Sequence, residues 1–226
     1  MIILGMISGT SYDGIDCSIG EFSANGSFVD LKPLFTTTIK YSVDTYKLID
    51  RSMPPAAIDL KIACELDVAI GKEFSRAALT AIEQSGITPD LIVSHGQTLY
   101  HWVSPEGFAL GTLQLGDGAR VAENTGIPTL AQIRSRDVAA GGHGAPFASL
   151  IDHFLLNGTG ERCAALNLGG ISNMTIVDPG ASTIAFDIGP SNALIDAAVR
   201  IETNGAENYD ESGKRASGGT VDMAML

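Results

Sequence analysis

At 226 residues the chain is long enough to bury a sizeable core, as one large domain or two small ones. Hydrophobic residues make up 45% and charged residues 18%, which excludes a mainly disordered chain, whose solvation needs high charge and few apolar groups. A formal net charge of −12 repels phosphate backbones and anionic lipid, so neither nucleic acid nor a membrane surface is an expected partner.

No apolar run reaches the roughly 18 residues that a spanning helix needs. The first basic residue, Lys32, comes too late for the n-region of a secretory leader, so the N-terminus reads as mature and the protein as cytoplasmic. Cys17, Cys64 and Cys163 lie far apart and form no Cys-x-x-Cys pair, which predicts buried, reduced thiols rather than a zinc knuckle or a disulfide framework.

Ile2 to Met6 is an apolar, β-rich run, Ser8-Gly9-Thr10-Ser11 is turn chemistry, and Ile15 to Phe22 resumes a strand. A third strand is expected within residues 31–42. From Ala57 to Gln84, Ile62, Leu66, Ile70, Phe74, Ala78 and Ile82 recur every four positions, which predicts one long amphipathic helix stopped at Ser85-Gly86. Leu91 to Val93 reads as a short buried strand ending at the polar cluster Ser94 to Thr98. A second strand, Leu113 to Leu115, ends at Gly116-Asp117-Gly118. Open α/β sheets place ligands at such strand ends. A helix over Ala119 to Asn124, a strand near Thr129 to Gln132 and a glycine-rich joint from Ala139 to Pro146 follow.

Beyond the joint, Phe147 to Leu156 reads as a helix and Cys163 to Leu168 as a strand. Gly169-Gly170-Ile171-Ser172 then echoes Gly5-Met6-Ile7-Ser8, and another strand follows over Thr175 to Val177. The echo and the matching order of elements predict two related α/β halves, each opening with a glycine-turn hairpin. The expected domains are residues 1–135 and 136–226.

A hairpin turn rich in glycine and hydroxyls offers N–H and O–H donors to an anion without a cationic side chain. Two such turns can hold the phosphates of a nucleotide. In the first, Gly9 and Gly14 permit close backbone approach, Ser8, Thr10 and Ser11 can donate, and Asp13 or Asp16 can hold a hydrated Mg²⁺. The plainer reading is a surface hairpin capped by Ser and Asx turns. Asp187 closes an expected strand, Thr183 to Phe186, ahead of Gly189-Pro190-Ser191 and a helix from about Asn192 to Glu202. A carboxylate there is placed as a general base or as a helix cap. His95, His101 and His143 are not spaced as metal ligands, which leaves them hydrogen bonding or loop structure. Arg134, Arg136 and Asp137, expected on a loop, read either as a buried ion pair bracing the joint or as an anion clamp.

Six segments in order carry a family resemblance. They are Gly5-Met6-Ile7-Ser8-Gly9-Thr10-Ser11-Tyr12-Asp13-Gly14-Ile15-Asp16, Ser94-His95-Gly96-Gln97-Thr98, Gln114-Leu115-Gly116-Asp117-Gly118, Arg134 through Gly142, Leu166 through Asn173, and Phe186-Asp187-Ile188-Gly189-Pro190. Together they resemble the anhydro-N-acetylmuramic acid kinases, of the sugar kinase and actin-like ATPase superfamily.

The resemblance implies two actin-like ATPase (ribonuclease H-like) domains around a cleft, the second incomplete. It implies a kinase that uses ATP and Mg²⁺ to hydrolyse the 1,6-anhydro ring of anhydro-N-acetylmuramic acid and phosphorylate O6, giving N-acetylmuramic acid 6-phosphate in cell-wall recycling. By the same resemblance Asp187 is the base acting on the water that attacks C1. Gly9, Thr10, Ser11, Tyr12, Asp13, Gly14, Ile15 and Asp16 match the ATP phosphate loop, Gly169 and Gly170 its counterpart, and Thr98, Gln114 and Arg136 the anhydro sugar contacts. Metal ligands are unassigned and a homodimer stays open.

The sequence departs from the family pattern at Ile188 and Ser191, where a small or polar residue and a Gly are usual, and at Gln132 and His143, which replace Asp and Gln. Family members continue well past residue 226. The chain alone is therefore expected to be inactive and to expose faces meant for burial. The alternatives are a levoglucosan-type anhydro-sugar kinase and a non-catalytic sugar- or nucleotide-binding remnant.

Overall fold

The computed structural model describes residues 1–226 apart from 10, 26, 27, 225 and 226. The chain forms two compact units, Met1–Ala145 and Pro146–Leu226. The division falls after the glycine-rich joint, whereas the sequence reading started the second domain at residue 136, a position that lies inside a helix.

In the first unit, β1 (Ile2–Ser8), β2 (Ile15–Asn25) and β3 (Phe28–Ile39) form an antiparallel meander. Helices α1 (Val43–Asp50) and α2 (Leu60–Ser85) then carry the chain over the sheet to β4 (Leu91–Val103), which pairs parallel with β1. β5 (Ala109–Leu115) folds back on β4 as a hairpin. After α3 (Gly118–Thr125), β6 (Thr129–Ala131) joins the other edge of β4 in parallel. The sheet order is β3-β2-β1-β4-β5, with β6 paired to β4. α4 (Ile133–Ala139) leads into the joint.

The predicted long helix forms because its apolar stripe has a sheet to meet. Leu66, Ile70, Phe74, Ala77, Ala78 and Ala81 are fully buried, against Leu4 and Met6 of β1, Ile15 and Ile19 of β2 and Ile92 of β4. Each large side chain so buried contributes about 1.5–3 kcal/mol. Asp59 caps the helix start by accepting from the Ile62 N–H at 2.8 Å, and Gly86, at φ +67°, ends it. Cys17 shares this core, where burial, aided by the Asp16 charge, pushes its thiol up to about 12. Cys64 corrects the expectation of buried thiols, because it lies on the exposed side of α2.

Two further expectations need correction. Ser94 to Thr98 does not end a strand but lies within β4. Gly96, at φ +74°, turns the backbone where β4 exchanges β6 for β5, and a Cβ there would stand 2.6 Å from the Leu115 carbonyl oxygen. Arg134, Arg136 and Asp137 are on α4 rather than a loop. α1 carried no clear stripe in the sequence. It is seated by Ser42, whose hydroxyl and N–H both donate to Glu73 of α2.

In the second unit, α5 (Ala148–Leu156) precedes a three-stranded antiparallel sheet, β7 (Cys163–Leu168), β8 (Ile171–Val177) and β9 (Ile184–Pro190), followed by α6 (Asn192–Glu202). α5 packs on one face, where Thr175 donates to Asp152 at 2.6 Å. On the other face Leu166, Leu168, Phe186 and Ile188 are each 43–60% exposed. Both units thus contain a β-meander opened by a glycine turn, as the echo suggested, but the echo is out of step. Gly5 to Ser8 is the second half of β1, while Gly169-Gly170 is itself the turn between β7 and β8. Asp187 also corrects its expected place: it is in mid-β9, opposite Asn173, because Ile171 and Ser172 continue the pairing to Pro190 and Gly189.

Glu73 is 7% exposed and bound by both Ser42 and Arg76, whose guanidinium donates at 2.6 and 3.0 Å. Burial pushes its carboxyl up, but the Ser42 and Arg76 hydrogen bonds outweigh burial and hold the carboxyl below its ordinary value. A carboxyl depressed in the folded state adds stability above its unfolded pKa and loses that stability as pH falls through the folded value. Glu73→Gln is expected to cost about 1–2 kcal/mol at neutral pH and to flatten the fall in melting temperature on acidification. Thermal denaturation across pH checks both; an unchanged acid limb contradicts the assignment.

Candidate functional site

The β1–β2 turn follows directly from the end of β1. The register between β1 and β4 shifts between Met6 and Ser8, so that Ser8 stands opposite Gln97. Gln97 is fully buried. Its Oε1 accepts from the Ser8 hydroxyl at 2.5 Å, and its Nε2 donates to the carbonyls of Gly9 at 3.1 Å and Thr98 at 3.2 Å. Gly9 also accepts from the Tyr12 N–H at 3.2 Å. The Tyr12 ring leans on Tyr46, centroids 5.4 Å apart, and its hydroxyl donates to Asp50 at 2.9 Å. Tyr12 has φ +40°, an uncommon backbone conformation that these contacts hold.

The residues of this turn divide by role. Thr10 lies outside the described residues. Among the described residues a Cβ on Gly9 would have only the Ser11 hydroxyl nearby, at 3.9 Å, which leaves room there for a ligand. Gly14 is buried, and a Cβ there would stand 2.9 Å from Thr38 Cγ2, so its glycine serves sheet packing. Ile15 is fully buried in the core. Ser11 donates to Asp13 at 2.9 Å and Thr38 donates to Asp16 at 2.6 Å; both carboxylates are exposed. One or two exposed carboxylates suit Mg²⁺, which keeps several waters and shares phosphate oxygens. Among the described residues no group of three or more His, Cys, Asp or Glu is placed to hold a metal.

A cavity of about 450 Å³ opens on β4, β5 and the start of α3. Asp67 of α2 shapes it by accepting from the Gly116 N–H at 2.8 Å. Ser94, His95 and Gln114 line it. Gln114 donates to Thr112 at 2.7 Å and Thr98 at 3.2 Å, which brings two of the expected sugar residues together. Among the described residues the buried Gln114 Oε1 and Ser94 hydroxyl have no hydrogen-bond partner. Such orphaned groups are costly in an interior and mark places where a ligand can supply the missing bonds. Gln132, also on the cavity wall, adopts φ +55° ahead of α4.

His95 accepts from Arg134 at Nε2 and approaches the Gly96 carbonyl with Nδ1 at 2.9 Å. Burial holds its pKa below the ordinary value, opposed by the Gly96 carbonyl and helped by the Arg134 charge. The ring is therefore neutral with its proton on Nδ1, and neither nitrogen is left for a metal. Arg134 also donates to the Gly144 carbonyl at 2.6 Å, and Asp137 accepts from the Gly144 N–H at 2.7 Å. These two side chains brace the joint through its backbone. Arg136 is exposed, and no hydrogen bond or ion pair engages its side chain among the described residues.

In the second unit the Gly169-Gly170 turn is tied to the start of α6. Gly169 accepts from Asn192 N–H at 3.0 Å, and Gly170 accepts from Ser191 at 2.9 Å and Ala193 at 3.2 Å. Asp187 is exposed on β9. The sequence reading assigned no role to Gln97, Ser94 or Asp67. Period-two alternation from buried Ile92 points to Ser94 but puts Gln97 on the opposite face, and the burial pattern loses that alternation from Ser94 to Gln97, so periodicity gave no signal for Gln97.

The family model described as anhydro-N-acetylmuramic acid kinase matches residues 1–226. A relative in Streptomyces coelicolor named anhydro-N-acetylmuramic acid kinase is 46% identical over 100% of this chain and 58% of its own length. Relatives of the same name in Caldanaerobacter subterraneus and Coxiella burnetii are 38% and 39% identical, over 59% of each relative. The chain thus spans under two thirds of the curated relatives it matches. Among solved structures, an Aquifex aeolicus Ppx/GppA phosphatase aligns with 88% of this chain and 55% of its own at TM-score 0.40 and 11% identity. A putative N-acetylglucosamine kinase from Porphyromonas gingivalis aligns with 97% of this chain and 62% of its own at TM-score 0.33 and 15% identity. With the family model matched from end to end, the chain belongs to the anhydro-N-acetylmuramic acid kinase family.

Proposed function

We propose that the full-length protein is an ATP-dependent kinase that hydrolyses the 1,6-anhydro ring of anhydro-N-acetylmuramic acid and phosphorylates O6, yielding N-acetylmuramic acid 6-phosphate in cytoplasmic cell-wall recycling. The observation that carries this reading is the polar cavity beside Thr98, where the Ser94 hydroxyl and Gln114 Oε1 are buried and unpartnered. A sugar bearing hydroxyl and amide groups supplies the donors that these atoms lack. Exposed Arg136 offers a guanidinium to an anionic substituent, which favours the lactyl-bearing sugar over levoglucosan.

In this reading the turn from Gly9 to Asp16 binds the nucleotide phosphates, with Asp13 and Asp16 as the carboxylates toward Mg²⁺ and Gly169-Gly170 as the second phosphate turn. MgATP supplies the transferable γ-phosphoryl group and the charge that stabilises it. Asp187 takes a proton from the water that attacks C1. As the C1–O6 bond breaks, O6 leaves as the nucleophile for phosphorus, so hydrolysis and transfer are coupled. Such chemistry asks the protein chiefly for positioning and charge stabilisation. The reading also places the protein in the cytoplasm, and among the described residues no helix is long and apolar enough to cross a membrane.

Two outcomes test it in the full-length protein. Asp187→Asn keeps the shape of the side chain but removes the base, so kcat is expected to fall about 10²-fold or more with little change in sugar or nucleotide affinity. A near-normal kcat removes Asp187 from the mechanism. Gly9→Val fills space left open by the described residues, so nucleotide affinity is expected to drop while the melting temperature and sugar binding hold. Unchanged nucleotide affinity by calorimetry returns the turn to a surface hairpin.

A further inference from the structure

We infer that Gln97 is a positioning residue for nucleotide binding: its buried amide keeps the Gly9 carbonyl turned away from the phosphate. The inference rests on the reading of Gly9 to Asp16 as the phosphate turn. A turn that binds an anion through N–H groups must keep its carbonyl oxygens averted, because a carbonyl dipole facing a phosphate repels it. Glycine makes that orientation insecure, since a peptide flanked by Gly9 can rotate at little steric cost. The lock therefore has to come from outside the turn. Gln97 supplies it from 88 residues away, with one Nε2 hydrogen on the Gly9 carbonyl at 3.1 Å, the other on Thr98 at 3.2 Å, and Oε1 accepting from Ser8. Both donors are used, and the side chain is fully buried. Without the amide, the Tyr12 N–H is the one donor left on that oxygen among the described residues.

The second unit solves the same problem by other means. There the Gly169 and Gly170 carbonyls are held by three N–H groups of residues 191–193 at the start of α6. In the first unit the Gly9 carbonyl is held by a side chain of β4 together with the Tyr12 N–H.

The test uses the full-length protein with Gln97→Glu and Gln97→Met, and reads MgATP and sugar affinity separately by calorimetry across pH, each relative to wild type at the same pH. Glu keeps the shape and the acceptor for Ser8, but when ionised it cannot donate to Gly9. The expected result is about tenfold weaker MgATP binding, the worth of one buried hydrogen bond, recovering on acidification as the carboxyl regains a proton. Met is expected to weaken MgATP binding at every pH, and sugar affinity should stay within about twofold in both variants. Equal loss of both ligands, or MgATP affinity within about twofold of wild type in both variants, overturns the inference. If wild type binds sugar but no nucleotide, the phosphate-turn reading fails and takes the inference with it. Should neither variant fold, amide exchange in ligand-free wild type decides. The Tyr12 N–H, bonded to the same carbonyl, must be protected, and free exchange there contradicts a locked peptide.

Discussion

Parallel pairing between β1 and β4 is the constraint on which the first unit depends. Parallel neighbours cannot be joined by a tight turn, so the chain must cross the sheet, and a crossover is stable only if it buries an apolar face. The stripe from Leu66 through Ala81 provides that face, and Leu4, Met6 and Ile92 receive it. Past Ser94, where β6 ends, β4 continues as one arm of a hairpin with β5 while β1 stays paired as far as Gln97. The polar residues of β4 are gathered at this exchange of partners. Gln97 faces the β1 turn, while Ser94 and His95 reach the cavity.

The two units share a principle more than a motif. Each has a glycine turn opening a meander, and each holds the turn carbonyls with donors from a later element, Gln97 in one unit and the start of α6 in the other. Short-range sequence likeness between Gly5–Ser8 and Gly169–Ser172 does not map these turns onto one another. What corresponds is the demand that a donor-rich turn makes on its surroundings. The acidic surface leaves that demand to backbone and amide groups, with Arg136 as a cation presented to solvent.

Sequence periodicity revealed the elements whose stability is local or amphipathic. α2 was legible because its stripe and its Gly86 stop agree with one another, although the stripe was read from Ala57, ahead of the Asp59 cap. β4 was legible only in its first residues, because Gly96 and its polar neighbours look like punctuation until β5 is paired against them. α4 was hidden for a different reason: it has seven residues, no buried side chain, and begins after Gln132 at positive φ without a side-chain cap. Asp187 was expected at a strand end, since Gly189-Pro190 resembles a turn, but β8 keeps that segment in the sheet. The family motifs named candidate site residues, whereas the contacts of Gln97 and the burial of the Ser94 and Gln114 atoms depend on the meeting of distant segments.

The central claim is that ring hydrolysis and phosphoryl transfer are one coupled reaction, with water entering at C1. It is tested most directly by incubating the full-length protein with MgATP and anhydro-N-acetylmuramic acid in ¹⁸O-labelled water and locating the label by mass spectrometry of the product and of the fragments from its sugar and phosphate. The account predicts an ATP-dependent 6-phosphate with one ¹⁸O in the sugar and none in the phosphate. Label in the phosphate group, or ring opening that proceeds without ATP, would contradict it.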